Sequence, residues 1–301
     1  MTTPPRALAA VLAAACLTVA NCAPAAPPAS TPAAVAAPLQ VLFVGNSFTQ
    51  GAHSAVRNWR ADTVTDLAGG GYGGVPALVN RFAAEADRPM KIALETQGGK
   101  SLAFHLAERR ELIDRRWDVV VLQEFSTLDA KAPGNPASTI AALREIVALL
   151  KARNPAVRIY LMATWSRADL VYQPGKPWSG KPIEQMALDL RAASDRAVRE
   201  VPGIAGIIPV GQAFNRAMAG GVADPNPYDG IAPGQLDLWT YDHYHASVAG
   251  YYLEALVTFG LLTGIDPASL GAAETAADEL GLSDDQAKAL QAVARAQLAA
   301  G

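Results

Sequence analysis

Short apolar runs alternate with longer helical patterns along most of the chain. Five runs are bounded by turn signals and have the length of strands: Leu39 to Val44, Met90 to Leu94, Asp118 to Leu122, Val157 to Ala163 and Ile204 to Val210. The third run continues as Val-Val-Val-Leu without polar alternation, which is typical of a strand covered on both faces. The pattern therefore predicts a sheet of five strands.

Stretches with the apolar period of helices lie between and after these runs: Pro76 to Ala86, Leu102 to Arg116, Pro136 to Arg153, Pro182 to Glu200, Ser247 to Leu262 and Ser283 to Ala300. Pro136 and Pro182 stand where a first-turn proline suits a helix start. Ser283 precedes two aspartates, as a helix N-cap would. Strands that alternate with helices predict an α/β fold, in which a parallel sheet carries helices on both faces.

The first 22 residues have the pattern of an export signal. Arg6 precedes an apolar stretch of 14 residues, Ala7 to Ala20, which is too short to span a membrane. An ordinary buried helix would need a polar face, which this stretch lacks. The residues up to Cys22 resemble a bacterial lipobox apart from Asn21, so we expect export either as a lipoprotein anchored at Cys22 or as a free periplasmic or secreted protein. Residues 23–38 are rich in alanine and proline and predict an extended linker.

Composition narrows the classes of function open to the rest of the chain. A formal net charge of −3, with 18% charged residues, excludes a strongly basic nucleic-acid-binding surface. The two cysteines, Cys16 and Cys22, both lie in the leader, so the body cannot use disulfides, a catalytic thiol or thiolate metal ligands. We expect one domain over residues 39–270, followed by a helical extension over 271–301.

Chemically active side chains follow the predicted strands. Ligands of parallel sheets bind outside the carboxyl ends of the strands, so these junctions are expected to meet at one edge. They are Gly45-Asn46-Ser47-Phe48-Thr49, Thr96-Gln97-Gly98-Gly99-Lys100-Ser101, Gln123-Glu124-Phe125-Ser126 and Thr164-Trp165-Ser166-Arg167, and Tyr241-Asp242-His243-Tyr244-His245 follows near the end of the domain. The edge would then hold a hydroxyl, a base, an acid and several hydrogen-bond donors.

Ser47 is the leading candidate for a nucleophile, with Asp242 and His245 as its partners. The spacing of the latter two lets the carboxylate orient the imidazole, so that Nε2 can accept a serine proton. Taken singly, Ser47 could instead cap a helix, and the Asp–His pair could belong to a solvated loop. Ser101 competes as nucleophile. Gly99-Lys100-Ser101 matches the start of a G-x-S-x-G nucleophile elbow, but Ala103 stands where the motif has its last glycine.

The histidines allow a second kind of site to be considered. His243 and His245 could begin a metal site, but no third ligand stands at a suitable spacing. His53 and His105 fall in predicted helices and are interpreted as surface or packing residues. We therefore expect no metal and no organic cofactor.

Together these blocks resemble the SGNH, or GDSL-like, hydrolase superfamily, in the branch that opens with a GNSFT motif. The resemblance runs from about residue 40 to residue 264, with Ser47 at the nucleophile position and Asp242 and His245 in the D-x-x-H block. It implies an oxyanion hole formed by the backbone N–H groups of Ser47 and Gly99. Where the family has an asparagine donor this chain has Gln123, and the role is carried to that longer side chain. The implied fold is a three-layer sandwich on a flavodoxin-like parallel five-stranded sheet.

The expected function is that of an exported serine esterase acting on O-acyl esters, with acetyl esters of carbohydrates as the substrate class. Four residues are predicted substrate contacts: Asn46, Glu124, Trp165 and Trp239. These two tryptophans and Trp178 lie in loop-like stretches where they could stack on sugar, packing at the rim being the alternative. The rival functions are a non-catalytic glycan-binding lipoprotein with a similar crevice, and a lipase or thioesterase of the same fold. The expected partner is a small-molecule or glycan ester, not a nucleic acid.

Overall fold

A parallel sheet forms the middle layer of the protein in the computed structural model, which describes residues 1–4, 10 and 37–301. Its strands are β1 (Leu39–Gly45), β2 (Thr65–Asp66), β3 (Met90–Thr96), β4 (Val119–Leu122), β5 (Arg158–Ala163) and β6 (Ile204–Pro209). They lie in the order β2-β3-β1-β4-β5-β6, and neighbouring strands are parallel. Without β2 this is the flavodoxin-like order, as expected.

The described residues form six strands, so the prediction of five missed one strand at the edge of the sheet. β2 is two residues long and pairs with Ala93 and Leu94 of β3. Thr65 and Asp66 are too few to show an apolar period, and neither is apolar, so the sequence pattern carries no sign of this strand. The order of the other five strands is unaffected.

Helices cover both faces of the sheet. They are α1 (Gly74–Glu85), α2 (Leu102–Glu108), α3 (Arg110–Ile113), α4 (Ala137–Arg153), α5 (Ala168–Tyr172), α6 (Glu184–Glu200), α7 (Val210–Ala219), α8 (Val248–Thr263), α9 (Thr275–Glu279) and α10 (Asp284–Ala299). Side chains of β1 alternate between two apolar clusters: Val41 and Phe43 pack with α1, α7, α8 and α10, whereas Leu42 and Val44 pack with α2, α3 and α4. This alternation within a buried strand confirms the three-layer α/β sandwich.

The helical extension predicted over residues 271–301 packs on the same core as the rest of the body. Ser283 caps α10 and forms a reciprocal capping box with Gln286. Leu290 and Ala294 of α10 are fully buried in the cluster that also contains α8. The compact unit accordingly runs from Pro38 to Gly301, so the extension is part of the domain.

The leader predictions fall on a different part of the chain. The export signal over residues 1–22, the lipidation site at Cys22 and the linker over 23–38 lie almost wholly outside the described residues. Within the part of the chain that the structure describes, no helix is long and apolar enough to cross a membrane.

Candidate active site

Ser47 lies on a turn that continues directly from the carboxyl end of β1. The turn is closed by the N–H of Gln50, which donates to the carbonyl of Asn46 at 3.1 Å. Only glycine fits at position 45, just before the turn, because a Cβ there would collide with Thr49 Oγ1. Asn46 and Thr49 are buried by this close approach, whereas Ser47 remains partly exposed.

Gln123 holds this turn from the end of the neighbouring strand β4. Its Oε1 accepts hydrogen bonds from the Asn46 N–H at 3.0 Å and from Thr49 Oγ1 at 3.1 Å, and its Nε2 donates to the carbonyl of Glu124. The amide oxygen and one amide N–H are thus engaged within the protein, and the second N–H has no acceptor among the described residues. The role of Gln123 as an oxyanion donor stays a prediction. Because Gly45 has no side chain and glutamine has one methylene more than asparagine, the amide can fold back onto the serine turn.

Asn46 and Glu124 tie the loop after β3 to the other two strand ends. Asn46 Nδ2 donates to the carbonyls of Lys100 at 3.0 Å and of Glu124 at 3.3 Å. Glu124 Oε1 accepts from the N–H groups of Leu102 at 3.1 Å and of Phe125 at 2.7 Å. Burial raises the pKa of Glu124 to about 7, although these two N–H groups favour its charged form. Asn46 and Glu124 are each 3% exposed, so the prediction that they contact substrate is corrected: they position the loop instead.

Two backbone N–H groups are left without an internal acceptor beside the serine. Neither the N–H of Ser47 nor that of Gly99 donates a hydrogen bond to another described residue. Gly99 is exposed and has a φ of 69°, a left-handed conformation that favours glycine. The N–H of Gln97 donates to the carbonyl of Gly45 at 3.1 Å, which holds this loop alongside the serine turn. Such N–H groups could stabilise developing negative charge on an oxygen.

His245 connects Ser47 to Asp242. Its Nε2 lies 2.9 Å from Ser47 Oγ, and its Nδ1 lies 2.6 Å from Asp242 Oδ2. The loop that carries His245 and Asp242 ends at Ser247, which caps α8 by accepting from the N–H of Gly250 at 3.2 Å. The structure thus brings together the three residues that the sequence pattern suggested as nucleophile, base and acid.

Asp242 is held in its ionised form by the surrounding donors. Burial would raise the pKa of this carboxyl, but the His245 ring and three further donors hold it well below its usual range. Those three donors are the backbone N–H groups of His245 and Tyr244, at 2.9 and 3.0 Å, and the Thr240 hydroxyl at 2.8 Å. Because ionised Asp242 can only accept, Nδ1 of His245 carries the hydrogen, and Nε2 is left to accept the serine proton.

The pKa of His245 is lowered, chiefly by burial. Asp242 opposes this shift, whereas the charges of His53 and Arg167 lower the pKa further. His245 is therefore neutral over more of the acidic range than an exposed histidine, and a neutral ring is the form that can accept a proton.

His53 is a residue of the site that the sequence analysis missed. It lies outside any helix, with a left-handed φ of 63°, and its side chain is exposed. Its ring centroid is 4.5 Å from that of His245, and its Nδ1 lies 2.7 Å from Tyr241 Oη. The one sequence feature that could have indicated its role is that His53 follows the serine motif by a few residues.

Arg167 is a second residue near the base; it ends the junction predicted after its strand, but no role was predicted for it. Its guanidinium carbon lies 3.5 Å from the ring centroid of Tyr244, whose own centroid is 4.1 Å from that of His245. Arg167 donates to Ser126 Oγ at 3.2 Å and pairs with Asp169 at 2.6 Å. A fixed positive charge is thereby held close to the imidazole.

The tryptophans predicted to stack on a sugar are buried. Trp165 is 0% exposed and stacks between Phe48 and Phe214, with ring centroids 4.0 and 5.2 Å away. Trp239 is 2% exposed, and its indole N–H donates to a backbone carbonyl at 2.9 Å. Trp178 is also buried. The prediction that these side chains contact substrate is therefore wrong: Trp165 and Trp239 both pack against Phe214 inside the protein, and the indole N–H of Trp178 donates to Asp189 at 2.8 Å.

Two other assignments can be compared with the structure. Ser101 stands just before α2, and among the described residues no histidine nitrogen lies within hydrogen-bonding distance of its hydroxyl. His105 is buried in α2 against the carboxylate of Glu95, in agreement with its interpretation as a packing residue.

The metal alternative rested on His243 and His245. The ring of His243 instead faces Tyr228, with 4.2 Å between the centroids. Within residues 37–301, donor atoms of His53, Asp242 and His245 lie within 4.8 Å of one another and could share an ion. Both ring nitrogens of His245 are already engaged in the contacts described above, so an ion here would have to displace them.

Comparisons with known proteins agree with this fold. The model of the GDSL-like lipase/acylhydrolase family matches residues 43–253. A search of curated proteins gave no match.

Several solved structures are similar to this chain. A DUF4886 family protein from Bacteroides uniformis is 20% identical and has a TM-score of 0.61, over 87% of this chain and 95% of the other. A candidate GDSL-like lipase from Parabacteroides merdae is also 20% identical, with a TM-score of 0.52 over 75% of this chain and 95% of the other. A Geobacillus acetyl-xylooligosaccharide esterase is 18% identical, with a TM-score of 0.45 over 74% of this chain and 93% of the other. Since the family match spans most of the chain, the protein belongs to the GDSL-like lipase/acylhydrolase family and has the fold of the SGNH hydrolases.

Proposed function

We propose that this protein is a serine esterase that removes acyl groups, in particular acetyl groups, from the hydroxyls of carbohydrates. The observation that carries the proposal is the hydrogen-bonded chain from Ser47 through His245 to Asp242. Membership of the GDSL-like family supports hydrolase chemistry in general.

The proposed reaction has two halves that use the same groups. His245 Nε2 takes the Ser47 proton while Oγ attacks the ester carbonyl, and Asp242 stabilises the imidazolium that forms. The N–H groups of Ser47 and Gly99 donate to the resulting oxyanion. The tetrahedral intermediate then releases the alcohol, which takes its proton from His245. Water deprotonated by His245 attacks the acyl-serine, and the proton returns to Ser47 as the acid leaves.

A cleft of about 410 Å³ lies beside Gly99. Its lining combines apolar side chains, including Phe125 and Leu128, with charged ones, including Lys100 and Asp129. The charged groups can bond to the hydroxyls of a carbohydrate, and the apolar groups can pack against its acyl group, so the cleft is compatible with an acetylated sugar.

Export is a separate proposal that rests on the leader sequence. The apolar stretch after Arg6 and the position of Cys22 motivate it. We expect the mature protein to lack the first 21 residues if Cys22 is lipidated. Mass spectrometry of the mature N-terminus, with Cys22→Ala as the comparison, distinguishes a lipidated cysteine from a freely secreted chain, and an intact Met1 in the mature protein contradicts export.

A panel of esters tests the proposed activity. We expect hydrolysis of 4-nitrophenyl acetate and of acetylated oligosaccharides, with kcat/KM falling as the acyl chain lengthens. Ser47→Ala should lower kcat by roughly 10³- to 10⁶-fold. Ser101→Ala is the matched control, because it removes the competing hydroxyl and should keep its turnover.

The other outcomes identify the rival functions. A preference for long acyl chains would indicate a lipase or thioesterase. Folded protein that binds oligosaccharides without hydrolysing any ester would indicate the non-catalytic glycan binder. Loss of turnover in Ser101→Ala, with turnover kept in Ser47→Ala, would contradict the assignment of the nucleophile.

A further inference from the structure

The exposed aromatic side chains gather around the loop that carries Asp242 and His245. Among the described residues, the most exposed tyrosine, phenylalanine and tryptophan side chains are Tyr172, Tyr228 and Tyr241, at 36%, 42% and 76%. Contiguous exposed apolar surface is uncommon on soluble proteins and marks binding sites. Tyr172 and Tyr228 contact each other and reach the loop with Asp242 through His243, whereas Tyr241 contacts His53. The contiguous pair on the side of His243 therefore indicates a surface that contacts a ligand.

Tyr172, Tyr228 and His243 form a continuous row, here called the tyrosine strip. The ring centroids are 6.0 Å apart between the two tyrosines, and 4.2 Å apart between Tyr228 and His243. Tyr172 Oη donates to the carbonyl of Pro225 at 2.9 Å, and Tyr228 Oη accepts from Gln173 Nε2 at 3.1 Å. Because protein groups hold both hydroxyls, the ring surfaces are the part left for a ligand.

His243 joins the tyrosine strip to the active site. It follows Asp242 directly, and its backbone carbonyl accepts from the N–H of Asp169 at 3.1 Å. Its φ of 53° is left-handed, a conformation that persists in a non-glycine residue only when its surroundings fix it. The backbone that orients the acid therefore also fixes the inner end of the strip.

The neighbours of the strip distinguish a sugar from an acyl chain. Gln173 and Asn226 contact Tyr228, the first through the tyrosine hydroxyl and the second by accepting from its backbone N–H at 3.2 Å. A sugar ring has a C–H face that packs on an aromatic ring, and a rim of hydroxyls that can bond to such amides. An acyl chain would gain nothing from these polar groups and would leave them desolvated.

We propose that the tyrosine strip is a binding subsite for the sugar rings of an acetylated glycan, beyond the ring whose ester is cleaved. This inference rests on the proposed esterase function. It assigns the recognition of longer glycans to exposed tyrosines and a histidine. On this proposal a single sugar held at Ser47 leaves Tyr172 and Tyr228 unused, whereas the further rings of an oligosaccharide contact them.

The test compares two substrates of different length in the full-length protein. The measured quantity is the ratio of kcat/KM on an acetylated tetrasaccharide to kcat/KM on the acetylated monosaccharide of the same sugar. This ratio is insensitive to the fraction of folded protein. We expect Tyr228→Ala to lower it by roughly three- to tenfold, the range for loss of one aromatic stacking contact. Tyr228→Phe keeps the ring and should leave the ratio near that of the unsubstituted protein.

The outcomes separate failure of the subsite from failure of the esterase. An unchanged ratio in Tyr228→Ala, with Ser47-dependent hydrolysis of both sugars, overturns the subsite alone. Hydrolysis of 4-nitrophenyl acetate without hydrolysis of any acetylated xylan, mannan or chitin oligosaccharide also overturns it. Ester hydrolysis that does not depend on Ser47 overturns the proposed function itself.

Discussion

Ser47 and His245 meet across 2.9 Å, but the segments that carry them are anchored in different ways. The serine turn is held by buried side chains from the ends of β1 and β4, namely Asn46, Gln123 and Glu124. Each of these crosses between segments far apart in the sequence, and removing one would leave a buried partner unsatisfied. The nucleophile side is thus fixed by the sheet.

The loop with the base is held mainly by its own aspartate. Asp242 accepts from the backbone N–H of His245, from the Thr240 hydroxyl and from the His245 ring. Around it lie exposed or half-buried groups, among them His53 and Tyr241. Neighbouring charges can therefore adjust the basicity of His245 without a change in the position of the serine, and the two sides should respond differently to mutation.

The largest loss of activity is expected from a change at Asp242, the acid in the loop that carries His245. Asp242→Asn should lower kcat by about 10⁴-fold, because an amide no longer stabilises the imidazolium and favours the wrong ring tautomer. Steady-state kinetics on 4-nitrophenyl acetate measure this loss. Asp237→Asn, a nearby aspartate outside the hydrogen-bonded chain, is the control and should keep most of the activity. Similar losses of kcat in the two variants would contradict this role of Asp242, because they would show that the loop is disrupted by either amide.

A change at Glu124 should displace the loop with Gly99, next to Ser47, and so lower kcat. Glu124→Ala leaves the N–H groups of Leu102 and Phe125 without their acceptor, so the loop with Gly99 shifts and kcat falls by roughly 10- to 100-fold with little change in KM. Because one oxygen accepts both bonds, Glu124→Gln should restore most of kcat. An equal loss in both variants would contradict this positioning role.

Glu124 should also make stability depend on pH. Its pKa is raised by burial from 4.5 in the unfolded chain to about 7 in the folded protein, so the native state keeps a proton that the unfolded chain has released. Its contribution to the free energy of unfolding is therefore present below pH 4.5 and is lost as the pH rises toward 7. Melting temperatures at pH 5 and pH 8 should differ less in Glu124→Gln than in the unsubstituted protein, and equal differences would contradict the assignment.

The smallest effect is expected from His53, on the base side. His53→Asn removes a charge that lowers the pKa of His245, and asparagine tolerates the left-handed backbone at this position. Activity needs neutral His245 and is lost as the pH falls through its pKa. The acidic limb of the kcat/KM profile should therefore move to higher pH, by less than about one unit. Tyr241→Phe keeps the histidine and should move the limb less, and a shift to lower pH in His53→Asn would contradict the electrostatic role.

The sequence predicted best what depends on position along the chain. Ser47 follows an apolar run, and Asp242 and His245 precede a helix at a spacing that lets them touch, so their meeting at one sheet edge followed from the parallel topology. The flavodoxin-like order of the five longer strands was instead implied by the resemblance of the motifs to the SGNH hydrolases. β2 was missed because two polar residues carry no period.

The direction of individual side chains could not be predicted, because it depends on neighbours remote in the sequence. Gln123 turns onto the serine loop only because Gly45 leaves room for its amide. Trp165 and Trp239 lie between regular elements, where exposed loops were expected. Both are nevertheless buried and pack against Phe214. The exposed aromatic side chains are instead tyrosines, whose hydroxyls form hydrogen bonds at the surface.

Labelling with a fluorophosphonate tests the central claim, that His245 activates Ser47, most directly. Such a probe reacts with an activated serine hydroxyl, and digestion followed by mass spectrometry locates the adduct. The structure predicts one adduct on the peptide that contains Ser47, absent in Ser47→Ala and strongly reduced in His245→Gln. An adduct that persists in folded Ser47→Ala, or no adduct in folded unsubstituted protein, would contradict the assignment of this nucleophile.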